Sequence, residues 1–203
     1  MYRFSIFMKD LAAIKLPLMI SAVLFALGIA VGWIGSGPIQ DIIVKEIQGL
    51  GEMSQSLRQS DHPELSFFIF IFLNNSIKSI LVLFSGILFG IIPIVFLAIN
   101  GMVLGFLLSV VESSGGDLVE LIFKGLLPHG IIEIPVIIIA CGYGLALGGL
   151  SFKSMAFNKD RGSGIKMQWR EFWRKSRTGS LWIVLLLLVA AVIESTITLW
   201  LVS

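Results

Sequence analysis

From Ser66 to Val111 the chain is almost continuously apolar, too long for a single pass through a membrane, where a helix of about 20 residues spans the hydrocarbon core. Gly86, Gly90 and Pro93 interrupt the run, and these are the residue types that punctuate helices. The pattern therefore predicts two helices, about 66–89 and about 92–111, joined by a tight turn. Three further apolar runs predict spans at about 16–35, 128–149 and 180–202. A short amphipathic piece, Asp117 to Leu127, precedes the fourth. The first run follows Arg3, Lys9 and Lys15 as a signal segment would, but it is long for a signal and no small-x-small site follows it, so it is expected to be a retained helix.

Two connections carry helical patterns of their own. Ile39, Ile42, Ile43, Ile47, Leu50, Met53 and Leu57 recur at spacings of three and four, the signature of one apolar helix face. That face either covers the ends of the spans or docks a second subunit or an extracytoplasmic partner. Gly51 weakens its centre. Before the last span, Trp169, Phe172 and Trp173 share a face flanked by Arg170, Arg174, Lys175 and Arg177. This reads as an interfacial helix against anionic headgroups; interfacial aromatics are ordinary beside a span, so nucleic acid is not an expected partner.

Composition agrees with this reading. Of 203 residues 56% are hydrophobic and 14% charged, with a mean hydropathy of +0.95, whereas a soluble domain has about 25% charged residues. The expected fold is all-α, a single polytopic membrane bundle of five spans with one amphipathic helix on the outside and one interfacial helix on the inside. The lone cysteine, Cys141, can form no intrachain disulfide and is expected to pack as a small residue.

Charge sets the orientation. Segment 151–179 holds Lys153, Lys159, Arg161, Lys166, Arg170, Arg174, Lys175 and Arg177 against Asp160 and Glu171. Segment 36–65 holds Asp41, Glu46, Glu52, Asp61 and Glu64 against Lys45 and Arg58, and 112–127 is also acidic. The excess of basic residues on cytoplasmic loops then places the N-terminus and 151–179 inside. It places 36–65, 112–127 and the C-terminus outside, in the plasma membrane of the cell.

Few polar groups fall inside the spans: Asn74, Asn75 and Lys78 in the second, Asn100 in the third, His129 and Glu133 in the fourth, Glu194 in the fifth. Ionisable groups in lipid are costly and mark functional sites. At about 1.5 Å per residue, Glu133, Glu194 and the Asn74–Asn75 pair reach similar depths in the outer half, with Lys78 deeper. His129 and Glu133, four apart, share a helix face. With Glu194 they form a candidate site for a divalent metal, zinc above all, which takes imidazole nitrogen and carboxylate oxygen. Two other readings use the same residues: a structural polar lock in which Lys78 or an asparagine satisfies the carboxylates, and a proton or ion path. Pro128 and Pro135 bracket this turn and are expected to break or kink the helix.

Enzyme signatures are missing. There is no HExxH pair, GxSxG elbow or P-loop, and Gly142-Tyr143-Gly144 lies in an apolar helix rather than after a strand. Glycines four apart at Gly86 and Gly90, Gly101 and Gly105, and Gly144 and Gly148 suit close helix approach, and suggest a compact bundle and a homodimer.

The stretch Leu126 to Ala140, with Pro128, His129, Gly130, Glu133 and Pro135, followed by the glycine-rich Gly142 to Gly149, resembles the signature of the stage II sporulation protein M family. The resemblance also fits the chain length and the placing of acidic and basic segments. It implies a small, noncatalytic membrane protein. In endospore formers that protein anchors and localises two peptidoglycan-degrading partners during engulfment, and homologues in organisms that do not sporulate imply a wider role. The resemblance assigns no chemistry to His129 or Glu133.

Overall fold

The computed structural model describes residues 2–35, 38–120, 122–123, 127–156 and 162–198. Among them there is no strand, and the architecture is an all-α bundle. Helix α1 (Phe4–Ala13) leads into α2 (Lys15–Ile34), α3 (Pro38–Arg58), α4 (Pro63–Ser85) and α5 (Ile91–Ser113). A single turn, α6 (Leu118–Glu120), precedes the two long helices α7 (Leu127–Ala156) and α8 (Gly162–Ile193), and α8 runs on as a π-helical segment, Glu194–Thr198. Five of these helices, α2, α4, α5, α7 and α8, are long and apolar enough to cross a membrane.

The breakpoint between α4 and α5 falls where glycine and proline place it, but the helix ends earlier than its apolar pattern implies. Helix α4 ends at Ser85, and after the turn at 86–88 Phe89 and Gly90 take positive φ values of 56° and 77°, the left-handed conformation that keeps the chain from running on as one helix into α5. The start of α4 moves the other way, because Pro63 in the first turn has its φ already set for a helix.

Three expectations need correction. Pro135 neither breaks nor sharply ends α7, which runs through it for 30 residues. Its ring stands on the exposed side of the helix, so its missing N–H costs one bond, to the carbonyl of Ile131, in a helix held by many others. The inner interfacial helix is not a separate element either, but the first half of α8. Phe172 is buried, Trp169 packs against the same core, and Trp173 stacks on Phe84 of α4 with ring centroids 5.7 Å apart. Phe172 and Trp169 therefore face the protein, and Trp173, 43% exposed, lies against α4 through Phe84. Finally, of the amphipathic piece from Asp117, only α6 and residues 122–123 are described. Asp117 starts α6 by accepting bonds from the N–H groups of Val119 (2.8 Å) and Glu120 (3.2 Å), as an N-cap does.

Glycine governs how the spans meet. Gly28 and Gly32 of α2 lie against Gly101 and Gly105 of α5, and a Cβ on any of them would strike backbone of the other helix. Gly86 meets the backbone of Gly144, and Gly148 that of Gly90. The glycine pairs that suggested a homodimer are thus consumed within one chain, so they no longer argue for a second copy. Gly28 and Gly32 are the partners that the spacing analysis missed.

Two apolar cores result. Tyr143, Leu147, Ile183 and Leu187 centre the larger, between α7 and α8, to which α1 contributes Phe7. Phe25, Val82, Leu97 and Cys141 form the other, between α2, α4, α5 and α7. Cys141 is fully buried there, as a small packing residue. The amphipathic helix expected in 36–65 exists as α3, continuous through Gly51, packed on α4 and α5 with Ile43 only 2% exposed.

Candidate functional site

Helices α4 and α5 leave the Gly86–Gly90 turn together and pack little against each other further along. Each has a closer neighbour elsewhere: α5 lies along α2 through the glycine contacts, while α4 lies on α7 and α8. A cavity of about 560 Å³ occupies the space between them. Its polar lining consists of Asn74, Asn75 and Lys78 from α4, Asn100 from α5, Glu133 from α7 and Glu194 from the π segment, with Ser79 beside Lys78. Phe70, Phe96, Val103 and Ile137 make apolar walls.

The polar residues described in four spans thus meet in one place; of the predicted set, only His129 is not described there. Its backbone belongs to the first turn of α7, and its side chain lies outside the described residues. Glu133, one turn further on, is half-buried at the cavity and within electrostatic range of both Lys78 and Glu194. A smaller cavity of about 140 Å³, to which Gly130 contributes, adjoins the first through the shared residues Asn100, Glu133 and Ile137.

Local helix irregularity positions Glu194. The π segment begins at this residue, and one wider turn rotates the side chains that follow it; such bulges recur at functional sites. The cause is legible in the next two residues. Ser195 (3.3 Å) and Thr196 (2.6 Å) both donate hydroxyl hydrogen bonds to the carbonyl of Val192, offering that carbonyl an alternative to the α-helical ladder.

Two of the three carboxamides are held by their nitrogens. Asn100 donates through Nδ2 to the carbonyl of Phe96 at 2.7 Å, and Asn74 donates through Nδ2 to Oδ1 of Asn75 at 3.3 Å. Both arrangements leave a carboxamide oxygen, Asn74 Oδ1 and Asn100 Oδ1, free to accept. Lys78 is exposed at the cavity and makes no ion pair with a described carboxylate. The simplest polar lock, a direct lysine–glutamate bridge, is therefore not formed among the described residues.

For the expected zinc set, the structure brings Glu133 and Glu194 to one cavity. Among the described residues no three of His, Cys, Asp and Glu gather to hold a metal. The donors the cavity does present are carboxylate and carboxamide oxygens.

A second polar feature escaped the sequence reading. Asp10 of α1 is 4% exposed and pairs with Arg174 of α8 at 3.6 Å, and Trp182 donates its indole N–H to the carbonyl of Tyr2 at 3.2 Å. Phe7, Asp10 and Ile14 recur at helical spacing and are all buried, so the signal for α1 was present in the residues before the first span.

No solved structure matches the chain. It is 28% identical to an uncharacterized protein of Methanocaldococcus jannaschii over 134 residues, 66% of this chain and 68% of that protein. The model of the family described as stage II sporulation protein M matches residues 21–199, a stretch holding most of the first span, the other four and every polar residue of the cavity, and the chain belongs to that family.

Proposed function

We propose that this protein is a noncatalytic membrane scaffold that holds peptidoglycan-degrading partners at the extracytoplasmic face. The observation that carries this reading is α3, a 21-residue helix bound across one end of α4 and α5 through an apolar face that includes Ile43, while Lys45, Gln48, Glu52, Gln55 and Arg58 are exposed. A polar surface fixed to a membrane bundle, in a chain without enzyme signatures, suits recruitment better than chemistry. The charge asymmetry along the sequence puts this surface outside, where cell-wall hydrolases work. The test is site-specific photo-crosslinking in cells from Lys45, Glu52 and, as an inward control, Ile43. The reading expects adducts with a secreted cell-wall hydrolase from positions 45 and 52 and none from 43. Adducts with cytoplasmic proteins alone would overturn it.

The cavity favours a second reading, a membrane protein that binds a cation, and the two are compatible because a ligand bound to the folded state stabilises a scaffold. In its divalent form the ligands are His129, Glu133 and Glu194, with zinc as the ion. Elemental analysis of the purified protein, with His129→Ala and Glu133→Ala alongside, tests that form. Stoichiometric zinc lost in both variants supports it, and metal-free wild type prepared without chelator sinks it.

A further inference from the structure

The cavity between α4 and α5 carries an unequal set of charges. Two carboxylates, Glu133 and Glu194, and one ammonium, Lys78, line it, and uncharged side chains, three asparagines and a serine among them, form the rest of the wall. In lipid an uncompensated charge is expensive, and a buried one is paired, neutralised or bound to a counter-ion. Lys78 balances one carboxylate. The other lacks a cationic neighbour among the described residues, so with both carboxylates ionised the described set is one positive charge short.

The remaining donors have one character. Asn100 and Asn74 each commit an amide N–H elsewhere and keep a carboxamide oxygen free, so the cavity offers oxygen acceptors from α4, α5, α7 and the π segment. Oxygen ligands suit hard cations, whereas zinc prefers nitrogen and sulfur company. A volume of about 560 Å³ accommodates an ion that keeps several waters, each taking about 30 Å³.

We infer that this cavity binds one monovalent metal cation, sodium or potassium, held by the carboxylates of Glu133 and Glu194 and the carboxamide oxygens of Asn74 and Asn100, with Lys78 as a tethered competitor. One added unit charge closes the balance; a divalent ion beside Lys78 would overshoot it. This rests on the cation reading of the same cavity, which it deepens with a monovalent ion in place of zinc, and it does not depend on the scaffold reading, since no partner protein takes part.

The experiment is thermal unfolding of the full-length protein in detergent, titrated with sodium, potassium or lithium chloride at constant ionic strength against choline chloride. Wild type should show a saturable rise in Tm with sodium or potassium, about 3–6 °C at tenfold over half-saturation, with radioactive sodium or rubidium binding near one per chain. Glu194→Gln and Glu133→Gln should lose the cation dependence. Lys78→Gln removes the competitor and should tighten binding at least tenfold, a gain that misfolding cannot imitate. Equal Tm in all chloride salts would overturn the proposal and leave a proton as the neutralising charge. A response to calcium, magnesium or zinc with none to monovalent ions would overturn it as well.

Discussion

Gly105 of α5 stands directly against the carbonyl of Ile29 on α2, with no room for a Cβ between them. Between membrane helices there is no hydrophobic gain to drive association, and close backbone packing takes its place. Gly105→Leu should therefore separate α2 from α5 and loosen the α5 wall of the cavity. Overpacking of this kind costs about 1–3 kcal/mol or more, and the loss should appear as a lower Tm in detergent. Gly49, where nothing lies within 4 Å of a built Cβ, is the control, and Gly49→Ala should leave Tm unchanged or slightly raise it.

The pair formed by Asp10 and Arg174 ties the first helix to the last. Asp10 is buried while the Arg174 side chain is 46% exposed, so the two ends of the bridge are unequal. Removing the arginine strands a buried carboxylate; removing the carboxylate leaves an arginine that water can solvate. Arg174→Ala should thus cost more than Asp10→Asn, about 1–2 kcal/mol after allowing for solvent screening at the exposed partner. A double-mutant cycle on thermal unfolding measures the coupling. Equal single-mutant effects with no coupling would show that α1 is held by its aromatic contacts alone, Phe7 stacked on Trp182 at 6.0 Å and Phe4 set edge-on to the same ring at 5.0 Å.

Gly90 combines two demands. Its φ of 77° is left-handed, and a Cβ there would press on the Leu145 side chain at 3.2 Å. The first demand alone makes alanine costly by about 1–2 kcal/mol. Gly90→Ala should destabilise the turn that sends α5 away from α4, and Gly90→Asn, which tolerates this conformation better, should be milder in φ strain though not in packing. Limited proteolysis and thermal unfolding of the two variants separate these contributions.

Periodicity made the spans legible because each must cross about 30 Å of hydrocarbon, and Asn74, Asn75, Lys78, Asn100, Glu133 and Glu194 stood out against that background. Depth counting along single helices brought most of them to one level. It could not show that α4 and α5 splay apart, since that follows from glycines at positions 28, 32, 101 and 105 acting across the sequence. Glu194 lay within an apolar run, but the π turn that places it depends on Ser195 and Thr196 bonding to Val192, a local competition that hydropathy does not register. The inner aromatics misled for a related reason: Trp169, Phe172 and Trp173 beside arginines look the same whether they face headgroups or a neighbouring helix, and only contacts between helices, such as Trp173 on Phe84 and Phe172 in the core, tell the two apart.

The orientation of the bundle rests on charge, and it can be measured directly. Cys141 is the lone cysteine and is fully buried, so a Cys141→Ala background leaves the chain without thiols. Cysteine is then introduced singly at Glu52, exposed on α3, and at Met167, 69% exposed in the first half of α8. The acidic character of 36–65 and the basic character of 151–179 predict that these positions lie on opposite sides. In intact cells a membrane-impermeant maleimide should label position 52 at once and position 167 only after permeabilisation. The reverse pattern would put α3 in the cytoplasm, out of reach of cell-wall enzymes, and would remove the scaffold reading while leaving the chemistry of the cavity untouched.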